Sequence, residues 1–231
     1  MIFPELIQAG VAGRENRFVV SARDREGRMV RLHLANSGRL RELIVPGREL
    51  WYQPVDVSGG QKTAGKLLLV REEGGGLVCI DATLPNRVVE EALRRGELEP
   101  FSAYPAVRRE YAVGRSRFDF FLSGPAGECL LEVKSVTLVE RGVAMFPDAP
   151  TERGLKHLEE LGTLQGGSLQ TAVLFLIQRA DAGSFTPNDR TQPEFRRKLR
   201  EIRERGTWIL AYDCDVTERE IRLRQPVEIV L

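Results

Sequence analysis

The sequence predicts a mixed α+β chain in two parts: a small N-terminal β-barrel over residues 1–82, then a mixed sheet flanked by helices over residues 83–231. Two observations carry this reading. Short apolar runs separated by glycine-bearing turns fill the first 80 residues. From Pro85 onward, apolar residues first recur at helical spacing, then fall into alternating strand-length and helix-length blocks.

In the first part, strands are expected at residues 6–12, 17–23, 29–35, 49–54, 66–70 and 77–81. Turns are expected at Gly13-Arg14-Glu15-Asn16, Asp24-Arg25-Glu26-Gly27 and Val57-Ser58-Gly59-Gly60. Between the third and fourth strands, Asn36-Ser37-Gly38-Arg39 and the residues after it leave room for a turn and a short helix. Five strands with a helical insert after the third is the OB-like pattern, and such barrels hold single nucleic-acid strands in basic grooves with aromatic platforms. Arg23, Arg25, Arg28 and Arg31 cluster around one hairpin, with Arg39, Arg41 and Arg48 beyond it. Few aromatics accompany them: Phe18, Trp51 and Tyr52. Arg23, Arg25, Asn36, Ser37, Gly38 and Arg39 are therefore candidate DNA contacts, the glycine turn with its adjacent guanidinium being suited to a phosphate. A plain solvated surface and an ordinary turn are the alternatives.

In the second part, Val88, Val89, Ala92 and Leu93 share one helical face between Pro85 and Gly96. Strands are expected at 105–113, 115–122 and 128–138. Met145-Phe146-Pro147-Asp148-Ala149-Pro150 then reads as a rigid loop into a helix with Thr151 as its N-cap. On that helix Leu155, Leu158 and Leu161 mark the buried side, and Arg153, Lys156, His157 and Glu160 project elsewhere. A strand at 170–178, a helix at 193–205 and strands at 207–212 and 220–230 complete an order of α-β-β-β-α-β-α-β.

Composition sets outer bounds. The chain has 231 residues, 42% hydrophobic and 29% charged, with a net charge of +1. No apolar run approaches a membrane span, and the start lacks the features of a signal peptide, so a cytoplasmic protein with no membrane partner is expected. Cys79, Cys129 and Cys214 are far apart and form no CxxC, which argues against a disulfide framework and a structural zinc site. Only five of the 34 basic residues are lysines: Lys62, Lys66, Lys134, Lys156 and Lys198. That scarcity draws attention to Glu132-Val133-Lys134.

Glu132 and Lys134 lie two apart on an apolar strand and so leave the same face, while Asp119 can meet them from the neighbouring strand. Two carboxylates and an ammonium on such a sheet are costly to bury unless they pair with one another or hold a cation. Asp119 and Glu132, with the Val133 carbonyl, suit Mg²⁺ or Mn²⁺, and Lys134 would orient an attacking water. An Asp, a turn and a Glu-x-Lys on adjacent strands within this element order is the pattern of the PD-(D/E)xK nuclease superfamily. The alternative is a buried ion pair that fixes strand register. Arg153 and His157 are candidate phosphate contacts, His157 equally a helix-surface residue. Glu91, Glu110, Asp148 and Gln178 are additional candidates that spacing does not rank.

Further motifs follow in order. They are His33-Leu34-Ala35-Asn36-Ser37-Gly38-Arg39, Gly114-Arg115-Ser116-Arg117-Phe118-Asp119, Glu132-Val133-Lys134-Ser135, and the run from Ala144 through Phe146-Pro147-Asp148-Ala149-Pro150-Thr151 and Arg153-Gly154 to His157. With them the chain resembles the sugar fermentation stimulation protein A family across essentially its whole length. The resemblance implies an OB-like domain joined to a PD-(D/E)xK nuclease-like domain. It also implies a DNA-binding role linked to regulation of sugar (maltose) metabolism, either with a nuclease site or as a catalytically silent regulator. At Gln192-Pro193 the chain departs from the Asp-Pro expected of the family. Acid/base chemistry on a sugar by the paired carboxylates is a further alternative, disfavoured by Lys134 and by the few aromatics. Oligomeric state is left open, a homo-oligomer included.

Overall fold

The structure, a computed structural model, describes residues 1–55, 62–114 and 116–231. The expected turn at Val57-Ser58-Gly59-Gly60 and the first residue of the strand expected at 115–122 lie outside them.

The N-terminal strands are β1 (Ile7–Asn16), β2 (Val19–Asp24), β3 (Met29–Leu34), β4 (Glu49–Pro54), β5 (Gly65–Arg71) and β6 (Leu77–Cys79). They run β3-β2-β1-β4-β5-β6, and a β3–β5 pairing in parallel register closes the first five into an OB-like barrel. Alternation supplies the interior: Val20, Ala22, Leu32, Leu34, Leu50, Leu67 and Val70 point inward and are fully buried. Two local expectations fail. Residues 13–16 continue β1 instead of turning, because β1 bends past β2 through two register shifts rather than stopping. The insert after β3 forms turns and no helix, since Leu40 takes φ 48° and Ile44 N–H bonds back to Leu40 O only once before Pro46-Gly47.

The second part opens with α1 (Pro85–Arg95), which has proline at its first turn and Gly96 in the left-handed conformation (φ 71°) at its end. Strands β7 (Ala106–Val113), β8 (Ser116–Gly124), β9 (Gly127–Val136), β10 (Val139–Glu140) and β11 (Val143–Phe146) follow. Then come α2 (Glu152–Leu164), β12 (Leu169–Ile177), β13 (Ser184–Pro187), α3 (Pro193–Glu204), β14 (Trp208–Val216), β15 (Ile221–Pro226) and β16 (Glu228–Ile229). The main sheet is β15-β14-β12-β9-β8-β7, with β9, β12 and β14 parallel. A smaller sheet, β10-β11-β13-β16, takes residues that the sequence assigned to loops, and splits the single strand expected at 220–230. Such two- to four-residue strands carry too little alternation to be read in advance.

Thr151 caps α2 as expected, accepting the Gly154 N–H at 3.0 Å. Helices α2 and α3 cover one face of the main sheet, with Leu158, Leu161, Phe195 and Leu199 on Val173, Phe175 and Ile177. Helix α1 covers the other face, and the barrel shares that core through Trp51, Leu68, Leu69 and Cys79. All three cysteines are free and buried, and burial pushes the thiols of Cys79 and Cys129 up to about 12. No helix among the described residues is long and apolar enough to cross a membrane.

Gln178 sits at the junction, fully buried. Its Nε2 donates to Cys79 O (2.7 Å) and Asp81 O (3.2 Å), and its Oε1 accepts from Ser135 Oγ (2.6 Å). These bonds tie the barrel to the sheet. Gln178→Leu leaves these partners buried without it, and is expected to destabilise the protein by about 2–4 kcal/mol, read as a lower denaturant midpoint.

Candidate active site

On β9, Leu131 and Val133 face α1, whereas Leu130 and Val136 face α2. Strand alternation therefore sends Glu132 and Lys134 toward α2, into a face otherwise built of apolar side chains. Lys134 Nζ reaches Glu132 Oε1 at 2.6 Å. His157 of α2 meets the same oxygen, its Nδ1 at 2.6 Å. Burial by itself would raise the Glu132 carboxyl, but the His157 hydrogen bond and the Lys134 charge outweigh it and hold the group below the usual carboxylate range. Glu132 Oε2 is buried and has no partner among the described residues.

Asp119 arrives by a break in the sheet. The β8–β9 ladder ends at Phe120↔Leu131, and the β7–β8 pairings step over Asp119 and Glu110, where Glu110 takes φ 51°. Past the break, the Val133 N–H donates to Asp119 Oδ2 at 2.8 Å, and Asn86 Nδ2 donates to Oδ1 at 2.7 Å. The side chain thus takes a place the neighbouring backbone has left. Burial, with the Glu132 charge second, pushes the Asp119 carboxyl above its usual value.

The structure brings Asp119, Glu132, Val133 and Lys134 together. His157 departs from expectation: it is 5% exposed, packs on Phe118 and supports Glu132, so it is no surface phosphate contact. The α2 periodicity put it off the buried side because leucines alone marked the stripe, whereas Gly154, His157, Leu158 and Leu161 are buried with Leu155 partly buried against the same core. The additional carboxylates do not join the pair. Glu91 pairs with the N-terminal ammonium at 2.9 Å, and Glu110 is exposed against Arg117. Asp148 instead accepts the Leu40 N–H at 2.9 Å. Among the described residues no three His, Cys, Asp or Glu side chains gather as a metal cluster, so protein oxygens here come from two carboxylates and the backbone.

A cleft of about 360 Å³ runs from Lys134 along the 147–151 loop to Asn36, Ser37 and Gly38, with Arg17 and Arg153 at its edges. The barrel loop is clamped there: Asn36 Nδ2 donates to Ile80 O, and a Cβ on Gly38 would stand 2.8 Å from Asp148 Oδ2. Gln192, the residue that departs from the family pattern, accepts the Thr151 N–H at 3.0 Å and fixes the facing loop. Arg39 flanks the adjoining groove. Arg23 and Arg25 do not reach either; they lie at the far end of the β2–β3 hairpin, bonded to Gly27 O and Gln8 Oε1. Two residues at the site carry no signal in the sequence: Arg17, whose place beside the cleft depends on the barrel closing, and Asn86, a lone helix-start residue.

An OB barrel fused to a mixed sheet that buries an acidic pair beside a lysine defines the class of this molecule. Two family models match it: the "SfsA N-terminal OB domain" over residues 13–80 and the "Sugar fermentation stimulation protein RE domain" over residues 83–220. The chain belongs to the sugar fermentation stimulation protein family. It is 42% identical to a homolog from Desulforamulus reducens, over 100% of this chain and 95% of the relative. It is 44% identical to one from Moorella thermoacetica, over 98% and 97%. Among solved structures, SfsA of Pyrococcus furiosus in complex with Ca²⁺ matches with a TM-score of 0.89 at 29% identity, covering 100% of this chain and 98% of that one.

An acid whose folded pKa lies above its unfolded one favours the fold while protonated, and that contribution fades as pH rises through both values. Ionised Asp119 therefore weighs against the metal-free fold at neutral pH. Asp119→Asn, with the Asn86 amide turned to accept, is expected to melt above wild type at pH 7 in chelator, the gap closing toward pH 3. Thermal unfolding across that range checks it.

Proposed function

We propose that this chain is a divalent-metal-dependent phosphodiesterase acting on DNA, in which residues 1–82 grip the substrate and residues 83–231 cut it. The observation that carries the reading is Glu132: Lys134 and His157 saturate Oε1, while Oε2 is buried, unpartnered and beside a second carboxylate. A site so arranged has surplus negative charge on one side, which a cation relieves. The residues fit Mg²⁺ or Mn²⁺, with Glu132 Oε2, Asp119 and the Val133 carbonyl as oxygen donors. The Ca²⁺ complex of the Pyrococcus furiosus relative supports a hard, oxygen-seeking ion. When bound, such an ion polarises a phosphodiester and acidifies a water.

The chain's own residues do the rest. Asn86 and the Val133 N–H orient Asp119, and His157 orients Glu132. Lys134, lining the cleft, positions the attacking water and offsets charge on the phosphate. Arg153 and Arg39 hold neighbouring phosphates, and Asn36, Ser37 and Gly38 shape the passage between them. The name of the relatives links the family to sugar fermentation; DNA binding is the physical route by which this chain takes part in such regulation.

With Mn²⁺ or Mg²⁺, wild type is expected to cleave labelled DNA, chelator to abolish cleavage, and Asp119→Ala or Lys134→Ala to slow it by about 10²-fold or more. Calorimetry with Mn²⁺ supplies the second reading. Asp119→Ala that binds the ion as tightly as wild type would sink the metal assignment. Wild type that binds DNA without ever cutting it leaves the catalytically silent regulator.

A further inference from the structure

Beyond the cleft, a groove of about 660 Å³ lies between the barrel and Ala149-Pro150. Arg14, Arg17, Arg39 and Arg41 line it, and no carboxylate does. It neighbours the Lys134 cleft, with Arg17, Ser37 and Gly38 lining both. The arginines divide by role. Arg14 donates to the carbonyls of Asn16, Arg17, Gly38 and Arg39, and so stiffens the groove wall. Arg17, Arg39 and Arg41 are exposed, and among the described residues none has an ion-pair partner. Elsewhere on the barrel Arg28, Arg31 and Arg71 are each neutralised by Asp24, Glu15 and Glu49.

Phe18 stands next to this groove with 46% of its surface exposed. It is the single aromatic among the large hydrophobic side chains that the described residues leave exposed, since Trp51 and Tyr52 are buried in the two cores. Nothing in the fold needs its ring outside. Its backbone is fixed on both sides, Phe18 N–H donating to Asn16 Oδ1 and Leu34 N–H to Phe18 O, each at 2.8 Å. The Arg17 guanidinium lies 5.5 Å from the ring centroid.

We propose that this groove binds one unpaired nucleic-acid strand, with a base stacked on Phe18 and the phosphates following Arg17, Arg41 and Arg39 toward Lys134. A held aromatic face beside unpaired guanidiniums is what a single strand needs, because stacking and phosphate neutralisation then act on the same nucleotide. A duplex could use the arginines, but its bases are stacked on one another and would leave Phe18 idle. The direction of the strand rests on the phosphodiesterase reading; the binding itself does not.

The test is fluorescence anisotropy with the full chain in chelator, using oligo(dT), oligo(U) and a blunt DNA duplex of equal length. Wild type is expected to bind the single strands more tightly than the duplex. Phe18→Ala is expected to weaken them roughly 5- to 100-fold, with Phe18→Tyr close to wild type and duplex affinity unmoved. Arg17→Ala and Arg41→Ala are expected to flatten the salt dependence. The oligo(dT) and oligo(U) arms tell a DNA strand from an RNA strand. Duplex preference, no effect of Phe18→Ala, or an equal loss on single and double strands would overturn the proposal. Mn²⁺ calorimetry separates the two readings: a wild type that binds no metal, yet depends on Phe18 for single strands, loses the phosphodiesterase and keeps the groove.

Discussion

The Glu132 carboxylate is the constraint on which the arrangement depends. A carboxylate on the covered face of a mixed sheet is among the most expensive groups to place there, and it is tolerated when its charge is matched and its oxygens are bonded. Here one oxygen takes both Lys134 and His157 at 2.6 Å. The lysine comes from the same strand, two residues on. The histidine needs α2 laid across β9 at a set depth, which Thr151 as cap and Gln192 behind it define. Among the described residues the second oxygen has no partner, which is poor for stability and is the feature on which the proposed cation site rests.

The break between β8 and β9 follows the same logic. Regular pairing past Phe120↔Leu131 would keep Asp119 away from the β9 backbone. Where the ladder stops, the carboxylate takes the Val133 N–H, so the strand remains satisfied while a second acid comes in beside Glu132. Burial and like charge raise the Asp119 carboxyl, while the His157 hydrogen bond and the Lys134 charge lower Glu132. Two acids in one site are thus pushed in opposite directions by their surroundings.

The barrel is joined to this site by more than a linker. Trp51, Leu68, Leu69 and Cys79 share a core with α1 and the main sheet, and Gln178 bonds across the junction. The 36–40 loop is tied through Asp148 to the loop that leads into α2. The basic groove and the Lys134 cleft therefore lie along one seam between the two parts, with Arg17, Ser37 and Gly38 lining both.

The sequence by itself determined the strand and helix order around β7, β8, β9, α2 and β12, the Asp119, Glu132 and Lys134 cluster, and the barrel class. Each rests on local period or on charges that an apolar strand does not carry without cause. It also carried the resemblance to the family. Only the tertiary structure decided the rest. His157 turned inward because a helix stripe is defined by what it packs on, and the leucines alone do not mark its full width. Arg23 and Arg25 read as groove residues from their clustering, yet barrel closure carries that hairpin tip away and brings Arg17 instead. Asp148, Gln178 and Asn86 hold one segment against another distant in sequence, and such pairings leave no periodic trace in a single chain.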